Sequence, residues 1–103
     1  MSRWQIKFKP IAIRDIRDAG LWYENERAGL SARFLDEIAT VEARLLDNPL
    51  QFPSIGVGVR RALIRDFPYT VYFTLVDQLI EVEAVLHQHR GPAALRIRLE
   101  EDG

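Results

Sequence analysis

VRRALIRDFPYTVYFTLVDQLIEVEAVLHQHR, residues Val59 to Arg90, is the stretch whose reading decides the fold. Tyr69, Val71, Phe73 and Leu75 fall on one side of an extended chain, and Thr70, Tyr72 and Thr74 on the other. After a turn near Asp77-Gln78, Ile80, Val82, Ala84 and Leu86 continue the apolar side, while Glu81, Glu83 and His87 take the polar one. Successive side chains of a strand point to opposite faces, so this alternation predicts a half-buried β-hairpin. Upstream, Arg61, Leu63 and Arg65 alternate with Ala62 and Ile64, which predicts a further strand. Asp66-Phe67-Pro68 separates the two, as a proline does at a strand start, bend or edge.

A sheet with one apolar face needs a cover, and the first half of the chain supplies it. Trp4, Ile6 and Phe8 alternate with Gln5, Lys7 and Lys9 in a first strand that Pro10 ends. The period then changes. Ala12, Ile16, Ala19 and Tyr23 step along one helical stripe, with Arg14, Asp15, Arg17, Asp18, Glu24 and Glu26 on the other face. Gly29 is expected to cap that helix. A second helix starts at Leu30-Ser31 with the stripe Phe34, Ile38, Val41 and Leu45, and Asn48-Pro49 stops it. Gln51 to Gly58, punctuated by Pro53, Gly56 and Gly58, reads as a loop. Gly91-Pro92 ends the last strand, and Ala93 to Leu99 read as one short helix before a frayed acidic tail at 99–103.

The expected architecture is α+β, in the order β-α-α-β-β-β, with a helical hairpin packed on one face of a mostly antiparallel sheet. One domain accounts for residues 1–103. Hydrophobic residues make up 48% and charged residues 28%, the balance of a folded chain. There is no cysteine, which excludes disulfides, thiol nucleophiles and cysteine zinc sites and fits a reducing cytoplasm. The opening Met-Ser-Arg-Trp lacks the apolar run of a signal peptide, and no stretch is long and apolar enough for a membrane span. The expected location is therefore the cytoplasm. The net charge is −1, but acids concentrate in the helical segments and cations in the strands. All the cations except Lys7 and Lys9 are arginine, which suits bidentate contact with carboxylate or phosphate.

Three segments, taken in order, resemble the RelE/ParE superfamily of bacterial toxins from toxin–antitoxin pairs. Trp22-Tyr23-Glu24, Gly29-Leu30 and Arg33-Phe34-Leu35 match its "WYE…GL…RFL" region. Arg60-Arg61 and Phe67-Pro68-Tyr69 through Tyr72-Phe73 match its "RR…FPY…YF" strand pair, and Val85 to Pro92 match its closing "V.H..R.P". The FPY strand and the H-x-x-R-x-P ending are similar to the ParE branch. That likeness implies a toxin that inhibits DNA gyrase by binding it and is neutralised by a cognate, ParD-like antitoxin. The alternatives are a RelE-like endoribonuclease acting on mRNA in the ribosome, and a non-toxic relic that still binds an antitoxin. Two features depart from the RelE branch: His87-Gln88-His89 replaces a lysine- and arginine-rich run, and Ala93-Ala94-Leu95 stands where many members have a tyrosine.

Metal-independent RNA cleavage needs a base, an acid and cations for the phosphate. If the chain is a nuclease, those residues are Arg61, Arg65, Tyr72 and His87, with Tyr72 and His87 expected on the same open face. If it works by binding, the candidate contacts are Arg60, Arg61, Arg65, His87, His89 and Arg90. His87-x-His89 with Glu83 on the same side falls short of a metal site, and no phosphate loop or nucleophile elbow is present. No cofactor is expected.

Overall fold

A computed structural model of the chain describes residues 3–102. The first strand, β1 (Gln5–Phe8), leads at Pro10 into α1 (Pro10–Glu26), with the proline in the first turn, where its missing N–H has no helical partner to lose. The hairpin continues with α2 (Leu30–Asp47). Gly29 does not cap α1, which ends one residue before Arg27; at φ 92° it stands instead at the start of α2. Glu24 closes the connection by accepting hydrogen bonds from the N–H groups of Gly29 and Ser31 at 3.1–3.2 Å. The Ser31 side chain foremost, and then these two backbone N–H groups, hold the Glu24 carboxyl below its ordinary value.

The segment expected to be a loop contains structure. A 3-10 turn at Pro49–Gln51 precedes β2 (Ser54–Gly56), a three-residue strand antiparallel to β3 (Val59–Leu63). Alternation is undetectable over three residues that follow Pro53 and end in Gly56, so no strand signal was readable there. β4 (Tyr69–Val76) and β5 (Leu79–His87) form the central hairpin, and a 3-10 turn at Gln88–Arg90 leads to α3 (Gly91–Asp102). The terminal helix is longer at both ends than the expected Ala93–Leu99 and runs through the acids expected to fray; Gly103 lies outside the described residues.

The five strands are ordered β1-β5-β4-β3-β2, antiparallel except for the β1–β5 pair. The helical hairpin covers one face. Phe34, Ile38, Val41 and Leu45 of α2 meet Val71, Phe73, Ile80 and Val82 in the main core. Phe34, Tyr23, Phe67 and Tyr69 close one end of it through edge-on ring contacts.

Between Tyr72 and Phe73 the register of β4 against β5 slips, because Tyr72 pairs with Ala84 and Phe73 with Val82. Glu83 is the extra residue of a β-bulge. Its consequence is that Val82 and Val85 both face the helical hairpin, while Ala84 and Leu86 face the opposite side with Tyr72 and Val59. The expected single apolar side from Ile80 to Leu86 is therefore corrected: it changes face at Glu83. The second face needs its own cover, and Leu95 of α3, with Ala94 and Leu99 beside it, provides it.

Candidate functional site

The bulge decides which candidate residues meet. His87 pairs with Tyr69 across the hairpin, on the face that carries α1 and α2. Tyr72 lies on the α3 face and is buried to 8% exposure. The expectation that Tyr72 and His87 share an open face is thus overturned: one extra residue in β5 turns them to opposite sides of the sheet. Glu83 is likewise not beside the histidines. It is buried, paired with Lys9 Nζ at 2.7 Å, and accepts a hydrogen bond from the Thr74 hydroxyl at 2.8 Å.

The remaining candidates divide in the same way. Arg61, which pairs in register with Tyr72, is exposed on the α3 face beside Leu63, Thr70 and Gln88. Arg65 is exposed just beyond β3. Arg60 points the other way, half-buried, and donates from its guanidinium to the carbonyl of Phe52 at 2.6 Å. That bond ties the β2 edge to the rest of the sheet, so Arg60 has a structural task of its own.

His87, His89 and Arg90 come together at the end of β5. The two imidazoles stack with centroids 5.0 Å apart, and His89 N–H donates to His87 Nδ1 at 3.1 Å. Tyr69 contacts His87 edge-on at 5.2 Å. Tyr69, His87 and Arg90 share an open cleft of about 270 Å³ with Asp15, Asp18 and Trp22 from α1. Burial pushes the Tyr69 hydroxyl above its ordinary value, Arg90 opposes that shift and Asp15 adds to it. Tyr69 is therefore a neutral phenol at physiological pH, a hydrogen-bonding group and not a ready base. Tyr23 is raised for the same leading reason, burial. Among the described residues no group of three or more histidine and acidic side chains is placed to hold a metal ion.

Sequence reading did not single out Asp15, Trp22 or Tyr69 as members of this cluster. Asp15 has a physical reason to be there. β1 ends at Phe8, so β5 has no strand neighbour beyond Val82 on that side. Asp15 Oδ2 accepts the hydrogen bond that a neighbouring strand would have taken, from Val85 N–H at 3.0 Å. The same carboxylate receives a two-pronged contact from Arg98 of α3 at 2.7 and 3.0 Å. One aspartate thus fastens α1, β5 and α3 together. Early termination of the first strand at Pro10 was the available signal, since it leaves a buried donor without a partner.

Comparison with known proteins supplies the family. Residues 6–92 match the family described as the ParE toxin of the type II toxin–antitoxin system, parDE. The chain belongs to the ParE toxin family. A search of curated protein sequences gives no match. Among solved structures, a chain of the chromosomal ParDE TA system from P. aeruginosa is similar, with a TM-score of 0.74 and 17% identity over 82% of this chain and 96% of that one. At that identity the likeness concerns the fold, and it bears out the α+β two-layer reading. The match to the ParE family ends at Pro92, inside the first turn of α3. The family match thus covers the sheet and helical hairpin, and most of the terminal helix lies beyond it. No helix among the described residues is long and apolar enough to cross a membrane.

Proposed function

We propose that this ParE-family toxin works by binding a protein target, DNA gyrase, in the bacterial cytoplasm, and that a cognate ParD-like antitoxin neutralises it by binding in turn. Membership of the ParE family over residues 6–92 carries the reading. The geometry supports binding over RNA cleavage. The two proton-transfer candidates of a nuclease, Tyr72 and His87, lie on opposite faces of the sheet and cannot act on one phosphodiester. Tyr69, which does meet His87, is held neutral by burial.

The test is expression of the chain without an antitoxin in bacteria, with DNA synthesis and protein synthesis followed separately. Early loss of DNA synthesis, with SOS induction and filamentation, is the expected outcome. A rapid stop in translation with cleaved mRNA would replace the reading by a ribosome-dependent nuclease. Normal growth with intact, folded protein would make the chain a non-toxic member of the family. His87→Ala sharpens the test, because a nuclease dependent on His87 is silenced by that single change, whereas a toxin that binds through several contacts loses at most part of its activity.

A further inference from the structure

The α3 face carries an unexplained feature at the tip of the β2–β3 hairpin. Gly56, Val57 and Gly58 all have positive φ, at 102°, 50° and 76°. Glycine adopts such angles freely, but a β-branched residue there is strained. Val57 gains nothing from the fold in return, since its side chain is 88% exposed. A strained, exposed aliphatic side chain costs stability without contributing to the core.

Val57 stands at one end of a groove between the hairpin and α3. A hollow of about 440 Å³ is lined by Ile55, Val57, Leu95 and Leu99, with Arg96 and Glu100 at its edge. Ile55 also lines the adjoining hollow of about 380 Å³, which runs past Arg61, Leu63 and Tyr72 to Gln88. Ile55, Val57 and Leu63 are all substantially exposed. The guanidinium groups of Arg61 and Arg96 make no hydrogen bond or ion pair among the described residues. The groove is therefore an aliphatic channel with two free guanidinium groups on its rim and one opposing carboxylate.

We propose that this groove is the surface with which the toxin grips its protein target, and that its occupant is an acidic segment carrying aliphatic side chains. The inference rests on the reading that the toxin acts by binding a protein. The two unpaired arginines give the charge complementarity, and Ile55, Val57 and Leu63 give aliphatic anchors of the kind found at the centre of protein interfaces. A nucleic acid fits less well. Single strands are held by exposed aromatic rings and tracks of cations, whereas the one ring here, Tyr72, is buried and the exposed anchors are aliphatic.

Two variants separate the possibilities. Val57→Asn removes the aliphatic contact without changing charge, and asparagine tolerates positive φ, so the fold is retained. Arg61→Glu reverses one rim charge on an exposed strand position. Each is expressed in bacteria without antitoxin, and growth arrest, thermal stability and binding to the cognate antitoxin are measured. The expected result is that both variants lose growth arrest, with target affinity weakened at least about tenfold, and keep their folding and antitoxin binding. Full arrest by Val57→Asn would overturn the proposal; if Arg61→Glu alone is impaired and binding to single-stranded RNA falls with it, the occupant is a nucleic acid. Loss of antitoxin binding with arrest intact would assign the groove to the antitoxin and overturn the proposal as well, as would a wild-type chain that arrests nothing. Assaying the same variants against purified gyrase keeps the two readings apart. Growth arrest that tracks the groove while supercoiling is untouched sinks gyrase and leaves the groove, whereas undiminished gyrase inhibition by Val57→Asn does the reverse.

Discussion

The two faces of one sheet are covered in different ways. On one, two helices of 17 and 18 residues bury a continuous core that includes Phe34, Phe73 and Leu45 with almost no exposure. On the other, a single terminal helix covers a small cluster around Val59, Tyr72, Ala84 and Leu86, and an aliphatic groove stays open beside it. The first face is built for stability and the second keeps apolar surface in reserve. β5 serves both because of one bulge residue, Glu83. Apolar side chains left uncovered on a folded chain are ordinarily a liability, and a contiguous set of them marks a contact surface.

Substitutions break this contrast in graded steps. Phe34→Ala, in the fully buried layer, should cost about 3–5 kcal/mol and unfold much of the population, as measured by denaturant titration. Leu95→Ala on the α3 face should cost toward the lower end of the 2–5 kcal/mol range for a buried leucine. Its distinguishing sign is hydrogen exchange: α3 should lose protection while α2 and β4 keep theirs. Equal loss of protection on both faces would erase the distinction drawn between them.

Asp15→Asn comes next. It weakens the contact with Arg98 and leaves a largely buried guanidinium poorly matched, for a loss of about 1–3 kcal/mol. Arg98→Met should lose less, because Asp15 then still accepts from Val85 N–H. A larger loss for Arg98→Met than for Asp15→Asn would show that the carboxylate matters to α3 alone and not to β5.

The smallest effects are those of pH, and both belong to the helical hairpin's end of the molecule. Glu24 has a lowered folded value, so its contribution is present above the ordinary carboxyl range and is lost as pH falls through that folded value. Glu24→Gln should remove the acid-side slope of thermal stability with little change at neutral pH, since the group is exposed. Tyr69 has a raised value, so its contribution is complete below the ordinary tyrosine value and is lost as pH rises through the folded one. Ultraviolet titration of Tyr69→Phe against the parent chain should show one late-titrating phenol missing.

Much of the layout was legible because periodicity reports burial directly. The stripes of α1 and α2 and the alternation from Tyr69 to Leu75 each record a side facing the core. The candidate site was less legible, and the reason is specific. Alternation assumes that the strand has no extra residue, and nothing about Glu83 as a residue type announces a bulge. The run Ala84-Val85-Leu86 carried the hint, since three consecutive apolar residues in a strand mean that both faces are covered. Reading it so would have revealed the cover on the second face, but only the slip of register at Glu83 places His87 with Tyr69 and separates it from Tyr72. The short strand Ser54–Gly56 left no such trace, because three exposed residues have no period to detect. Asp15 could be found only by asking which partner Val85 N–H has once β1 has ended.

Supercoiling by purified gyrase, measured with increasing amounts of the wild-type chain and again with the His87→Ala variant, decides between a gyrase-binding toxin and a nuclease. Dose-dependent inhibition by both proteins, relieved by the cognate antitoxin, is the expected result. Unaffected supercoiling, together with mRNA cleavage on ribosomes that His87→Ala abolishes, would contradict it.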